Sequence, residues 1–157
     1  MKKLFVIILL LVFIITGCSS EADYLGIPKG YIDKEEYYQE DGFQDYTDYA
    51  KYIYDTKDII VNNKDYKKIT KEDIASIKDY FKHHRKWMGA EYDFDESIIN
   101  EGDYIRIKIR LEKTINGHIE IVTGDKLEDL QSRQYDNYSI YFFDIETLTL
   151  YYIHNNI

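Results

Sequence analysis

Side chains able to do chemistry are few in kind in this chain. There is one cysteine, Cys18, and there are four histidines, His83, His84, His118 and His154, against 29 acidic residues. A lone cysteine cannot close an internal disulfide, so the chain must fold by packing alone. His83 and His84 are adjacent, and no His-x-x-x-His pair exists, so the spacing that tetrahedral zinc sites use is absent. Glu91-Tyr92-Asp93-Phe94-Asp95-Glu96 is oxygen-rich, but the EF-hand pattern needs glycine at its sixth position and glutamate at its twelfth. Counted from Asp93, those positions hold Ile98 and Tyr104. Gly-x-Ser-x-Gly and Ser-x-x-Lys are both missing, as is any glycine-rich phosphate loop. The expectation is a protein that is not an enzyme and that carries no metal and no cofactor.

Cys18 has the most informative surroundings. The chain opens Met1-Lys2-Lys3, runs through twelve apolar residues, Leu4 to Ile15, and continues Thr16-Gly17-Cys18. A basic start, an apolar core and small residues at a cleavage point describe a secretory signal. The run is short for a membrane span, which needs about 20 residues. Ile15-Thr16-Gly17-Cys18 resembles the lipobox of bacterial lipoproteins. That resemblance covers residues 1–18. It implies cleavage before Cys18, a diacylglyceryl group on its thiol, and a protein held at the cell membrane on the extracytoplasmic face. Two acyl chains hold a protein stably where one does not, and a lipidated Cys18 is no nucleophile. The implied division is a signal peptide over 1–17, a lipidated tether over 18–30 and a single domain over 31–157.

Charge narrows the partners. The chain carries a formal net charge of −9, and loss of Lys2 and Lys3 with the signal makes the remainder more negative. Nucleic acid is thereby disfavoured as a partner. Within this acidic protein Arg106, Lys108 and Arg110 alternate along one run, a candidate interaction surface for an envelope protein or glycan. The bland alternative for this stripe is cross-strand pairing with nearby acids such as Glu120. The 17 tyrosines suit half-buried positions and interfaces.

The elements that would position these residues follow from periodicity. Asp33–Tyr38 reads as a short helix, and Phe43, Tyr46, Tyr49, Ala50, Ile53 and Tyr54 recur at helical spacing over 43–55. Thr70 as N-cap, acids early, bases late and the stripe Ile74, Ile77, Phe81, His84 and Met88 predict a helix over 71–88. Strict alternation from Tyr104 to Glu112 predicts a half-solvated strand. Asn116-Gly117 marks a turn. A three-residue loop pairing Leu111 with Ile121 keeps the aliphatic residues together and is the expected register. Tyr138–Phe143 and Thr147–His154 flank an Asp-led turn and read as a hairpin. The expected fold class is α+β: N-terminal helices packed on an antiparallel β-meander of about four strands. Gly42–Tyr49, Trp87-Met88 and Tyr151–Asn156 loosely resemble stretches of small bacterial proteins of uncharacterised role, which implies no activity. A binding or interaction module is the leading functional reading. A small-ligand or ion-binding lipoprotein is the alternative, and an envelope hydrolase the less favoured one.

Overall fold

A computed structural model describes residues 21–40, 46–85, 94–115, 118–125 and 137–156. Seven strands form one antiparallel sheet: β1 (Tyr31–Glu40), β2 (Tyr46–Tyr54), β3 (Lys67–Lys68), β4 (Tyr104–Ile115), β5 (His118–Gly124), β6 (Asn137–Asp144) and β7 (Thr149–Asn156). The spatial order is β1-β2-β7-β6-β4-β3, with β5 also paired to β4. Among the described residues three helices accompany it: α1 (Glu21–Leu25), α2 (Asp58–Val61) and α3 (Ile74–Arg85), with a 3-10 turn at Glu96–Ile98. The expectation of N-terminal helices on a four-stranded meander is overturned, because the two segments read as those helices are β1 and β2.

The physical reason lies in tyrosine. In β2, Ala50, Tyr52 and Tyr54 alternate onto one face while Tyr49 is buried on the other. Large aromatic residues favour a pleated, half-buried surface over a helix. Their spacing in β2 happens to satisfy both periods. β1 is the sheet's edge, and Asp33, Lys34, Glu35 and Glu36 are exposed along it. Charges of this kind protect an edge from pairing with another chain and also erase the apolar alternation that would mark a strand.

Both faces of the sheet are covered. On the first, Ile105, Ile107, Ile109, Ile140, Phe142 and Ile153 pack under Ile77 and Phe81 of α3. Phe81 stacks on Phe94 with ring centres 4.5 Å apart. On the second, Tyr52, Tyr54, Tyr141, Phe143, Leu150 and Tyr152 pack with Ile60 of α2 and with Ala22 and Ile27 of the N-terminal segment. Each such side chain, fully buried, contributes roughly 1.5–3 kcal/mol relative to exposure. Much of the tyrosine excess therefore forms core: Tyr49, Tyr52, Tyr54, Tyr66, Tyr138, Tyr141 and Tyr152 are all buried.

The predicted helix over 71–88 is present as α3, beginning at Ile74. Its last three expected residues lie outside the described ones. Thr70 sits one turn before the helix, where its amide and hydroxyl both donate to Asp73 Oδ2 at 3.1 and 2.8 Å. The β6–β7 hairpin forms as expected, with Asp144 opposite Thr149. The β4–β5 register differs from expectation: Leu111 pairs with Val122 and Ile115 with His118, leaving two residues between the strands. The turn preference of Asn-Gly overrides aliphatic matching, and Lys113 falls opposite Glu120.

Asp103 joins two loops at one end of the sheet. It is 1% exposed, and its carboxylate accepts the amide N–H of Asn100 at 2.7 Å and of Ile145 at 3.1 Å. Burial raises its pKa, and the two amide bonds oppose that rise. Asp103→Ala leaves two part-buried amides without their acceptor, each costing about 1–3 kcal/mol. Urea denaturation is expected to show a loss of about 3 kcal/mol. Asp103→Asn keeps one acceptor oxygen and is expected to lose less.

Candidate functional site

Arg106, Lys108 and Arg110 share the second face of the sheet, opposite Tyr141, Ser139 and Asn137 of β6. The structure separates their roles. Arg106 is turned inward: Nη1 donates to the Gly26 carbonyl at 2.9 Å and Nη2 lies 3.6 Å from Asp65 Oδ2. Its guanidinium carbon sits 4.8 Å from the Tyr141 ring centre and 5.9 Å from that of Tyr66. A partly desolvated cation between two aromatic faces is held electrostatically as well as by hydrogen bonds. Burial pushes the Tyr66 and Tyr141 hydroxyls upward in pKa, and the guanidinium opposes both shifts. Glu120 falls opposite Lys113 in the register, and the acid beside Arg106 is Asp65.

What Arg106 holds is the N-terminal segment. Residues 21–30 lie within the stretch read as a tether, yet Ala22 is 6% and Ile27 3% exposed. Three side chains from three strands bond three of its carbonyls. Tyr141 Oη donates to Leu25 O at 2.6 Å, Arg106 to Gly26 O at 2.9 Å and Tyr54 Oη to Pro28 O at 2.7 Å. The segment closes on itself through Ile27 N–H to Ala22 O at 2.8 Å. Gly26 has φ +73°, and a Cβ there would lie 3.2 Å from Lys108 Nζ. Glycine suits both the backbone conformation and the close approach. The segment is a strap across the sheet. Its signal in the sequence is the apolar content of Ala22, Leu25 and Ile27 ahead of Pro28, which a solvated tether does not need.

Lys108 is exposed and borders the strap, with Nζ 5.9 Å from the Tyr141 ring centre. Desolvation, then the neighbouring Arg106 charge, lower its pKa. Arg110 is exposed further along the same face. Opposite Lys108 stands Ser139, whose Oγ is 3.0 Å from His154 Nδ1. Asp48 occupies the register position beside His154 on β2. A Ser–His contact raises the question of nucleophilic catalysis. Acyl transfer also needs backbone donors for the developing oxyanion. Ser139 lies mid-strand in β6, between β4 and β7, where its backbone is engaged in the ladders. The row Lys108–Ser139–His154 is thus a polar surface of cross-strand pairs.

Burial lowers the His154 pKa, against a rise from its bond to the Tyr138 backbone. The unfolded chain, with His near 6.5, then binds more protons than the folded one just below that pH. Stability is fully present above about 6.5 and falls as pH drops through the folded value. Urea midpoints at pH 7.5 and 5.5 check this. His154→Gln is expected to flatten the difference.

Cys18 lies outside the described residues, as do 91–93 of the acidic stretch. Asp95 accepts the Ser97 amide at 2.8 Å and caps the 3-10 turn. Both Asp103 oxygens are engaged with amides, as described above. Among the described residues no group of three His, Cys, Asp or Glu could hold a metal ion, and no helix is long and apolar enough to cross a membrane. His118 is exposed on β5, and His83 and His84 lie in α3.

No family model, no curated protein and no solved structure matches this chain.

Proposed function

We propose that this is a lipoprotein, anchored through a diacylglyceryl group on Cys18 to the extracytoplasmic face of a cell membrane, whose domain serves as a binding module for an envelope protein or glycan. The observation that carries the reading is the Lys2-Lys3, apolar run and Ile15-Thr16-Gly17-Cys18 series, ending just before the strap begins at Glu21. An exported protein with one cysteine, then lipidated, has no disulfide available, and the doubly covered sheet supplies stability by packing.

The binding surface is the polar edge of the second face, with Lys108 and Arg110 as its cations. Arg106 belongs to the strap. The test is capture from cell envelopes with the chain from residue 18 carrying Cys18→Ser, with light crosslinking. Saturable retention of one component, reduced by Lys108→Glu with Arg110→Glu while the denaturation midpoint is kept, is the expected result. Retention unchanged by that double substitution would remove this surface from the account. For the alternative of an ion-binding lipoprotein, calcium is expected to leave the thermal midpoint unchanged. An EDTA-reversible rise would favour that alternative.

A further inference from the structure

We infer that the strap holds the domain directly against the bilayer, with the Tyr24 ring as a second contact with the lipid surface beside the Cys18 anchor. This inference rests on the lipoprotein reading. Only Ser19 and Ser20 separate Cys18 from Glu21, where α1 begins. Three peptide steps reach at most about 10 Å. The chain beyond them does not extend this reach, because Ala22 and Ile27 are buried and Tyr141, Arg106 and Tyr54 bond the carbonyls of Leu25, Gly26 and Pro28. A tether solvated from 18 to 30 would let the domain wander several times farther. Clamped at Leu25, it cannot.

The side chain that this short leash brings to the membrane is Tyr24. It is 90% exposed, and with Ile32 it makes up the exposed large hydrophobics among the described residues. Tyr24 stands in α1 itself, three residues beyond the point where the leash enters the strap. Tyrosine suits the bilayer–water boundary, its body in the apolar layer and its hydroxyl in the headgroups. The acidic net charge favours a zwitterionic over an anionic surface, and salt screens that difference.

The experiment uses the full chain, expressed with its own leader, purified and reconstituted in phosphatidylcholine vesicles containing brominated lipid. Tyr24→Trp supplies the probe, and the wild-type signal from Trp87 is subtracted. Intact mass first establishes whether Cys18 carries the diacylglyceryl group. With the lipid present, the added emission is expected to shift to the blue and to be largely quenched, and Arg106→Ala, which loosens the strap, is expected to reduce that quenching. Lipid present with the added emission unquenched would overturn the docking and leave the anchor standing. A Cys18 without lipid would overturn the anchor and the docking with it.

Discussion

Cys18→Ala, in a chain freed of residues 1–17, is expected to move the protein almost entirely from the detergent-rich to the aqueous phase on detergent partitioning. The size of the effect follows from the acyl chains. Each buried methylene contributes about 0.8 kcal/mol, so two long chains account for nearly all membrane affinity. One tyrosine at the interface supplies far less than that, so Tyr24 alone does not keep the variant on the membrane. The substitution touches no described part of the fold, and the aqueous variant is expected to keep the wild-type denaturation midpoint. Equal partitioning of variant and wild type would mean that some other element holds the protein to lipid.

The second large effect concerns the strap. Arg106→Ala removes a charge-assisted bond to the Gly26 carbonyl, the contact with Asp65 and the cation between Tyr66 and Tyr141. Hydrogen bonds to charged groups contribute about 1.5–3 kcal/mol, and a desolvated cation–π contact about 2. Because these overlap, a combined loss of about 3 kcal/mol is the expected result in urea denaturation. Amide exchange localises it: the Ile27 N–H, bonded to Ala22 O, is expected to lose protection while the β6–β7 ladder keeps its own. Arg106→Lys keeps the charge but not the planar fork, and is expected to fall between the two. Protection at Ile27 unchanged in the alanine variant would show that the two tyrosine bonds hold the strap without Arg106.

Much of the chain from α3 onward was legible because one physical signal dominated each element. β4 alternates strictly, and α3 joins a helical apolar stripe to charges suited to its dipole. An Asp-led turn marks the β6–β7 hairpin, and Asp144 does accept the Glu146 and Thr147 amides at 2.9 and 3.3 Å. The first half misleads for the opposite reason. Tyr46, Tyr49, Ala50, Ile53 and Tyr54 fit a helical stripe on paper, but β2 lies between β1 and β7 and both of its faces are used. The pairing that decides this is non-local: β2 is joined to β7, the last strand, with Tyr49 opposite Ile153 and Tyr52 opposite Leu150. No local pattern reveals a partner a hundred residues away. The cationic stripe shows the same limit. Alternation placed Arg106, Lys108 and Arg110 on one face correctly, but it could not show that residues 22–28 cross that face and engage Arg106.

The central claim is that Cys18 is the anchor from which the strap departs. Intact and fragment mass spectrometry of the protein, expressed with its leader in a bacterial host and extracted from membranes, tests it most directly. The expected result is a mature chain that begins at Cys18 and carries a diacylglyceryl group there. A chain that still holds residues 1–17, or one whose Cys18 thiol is unmodified, would contradict it.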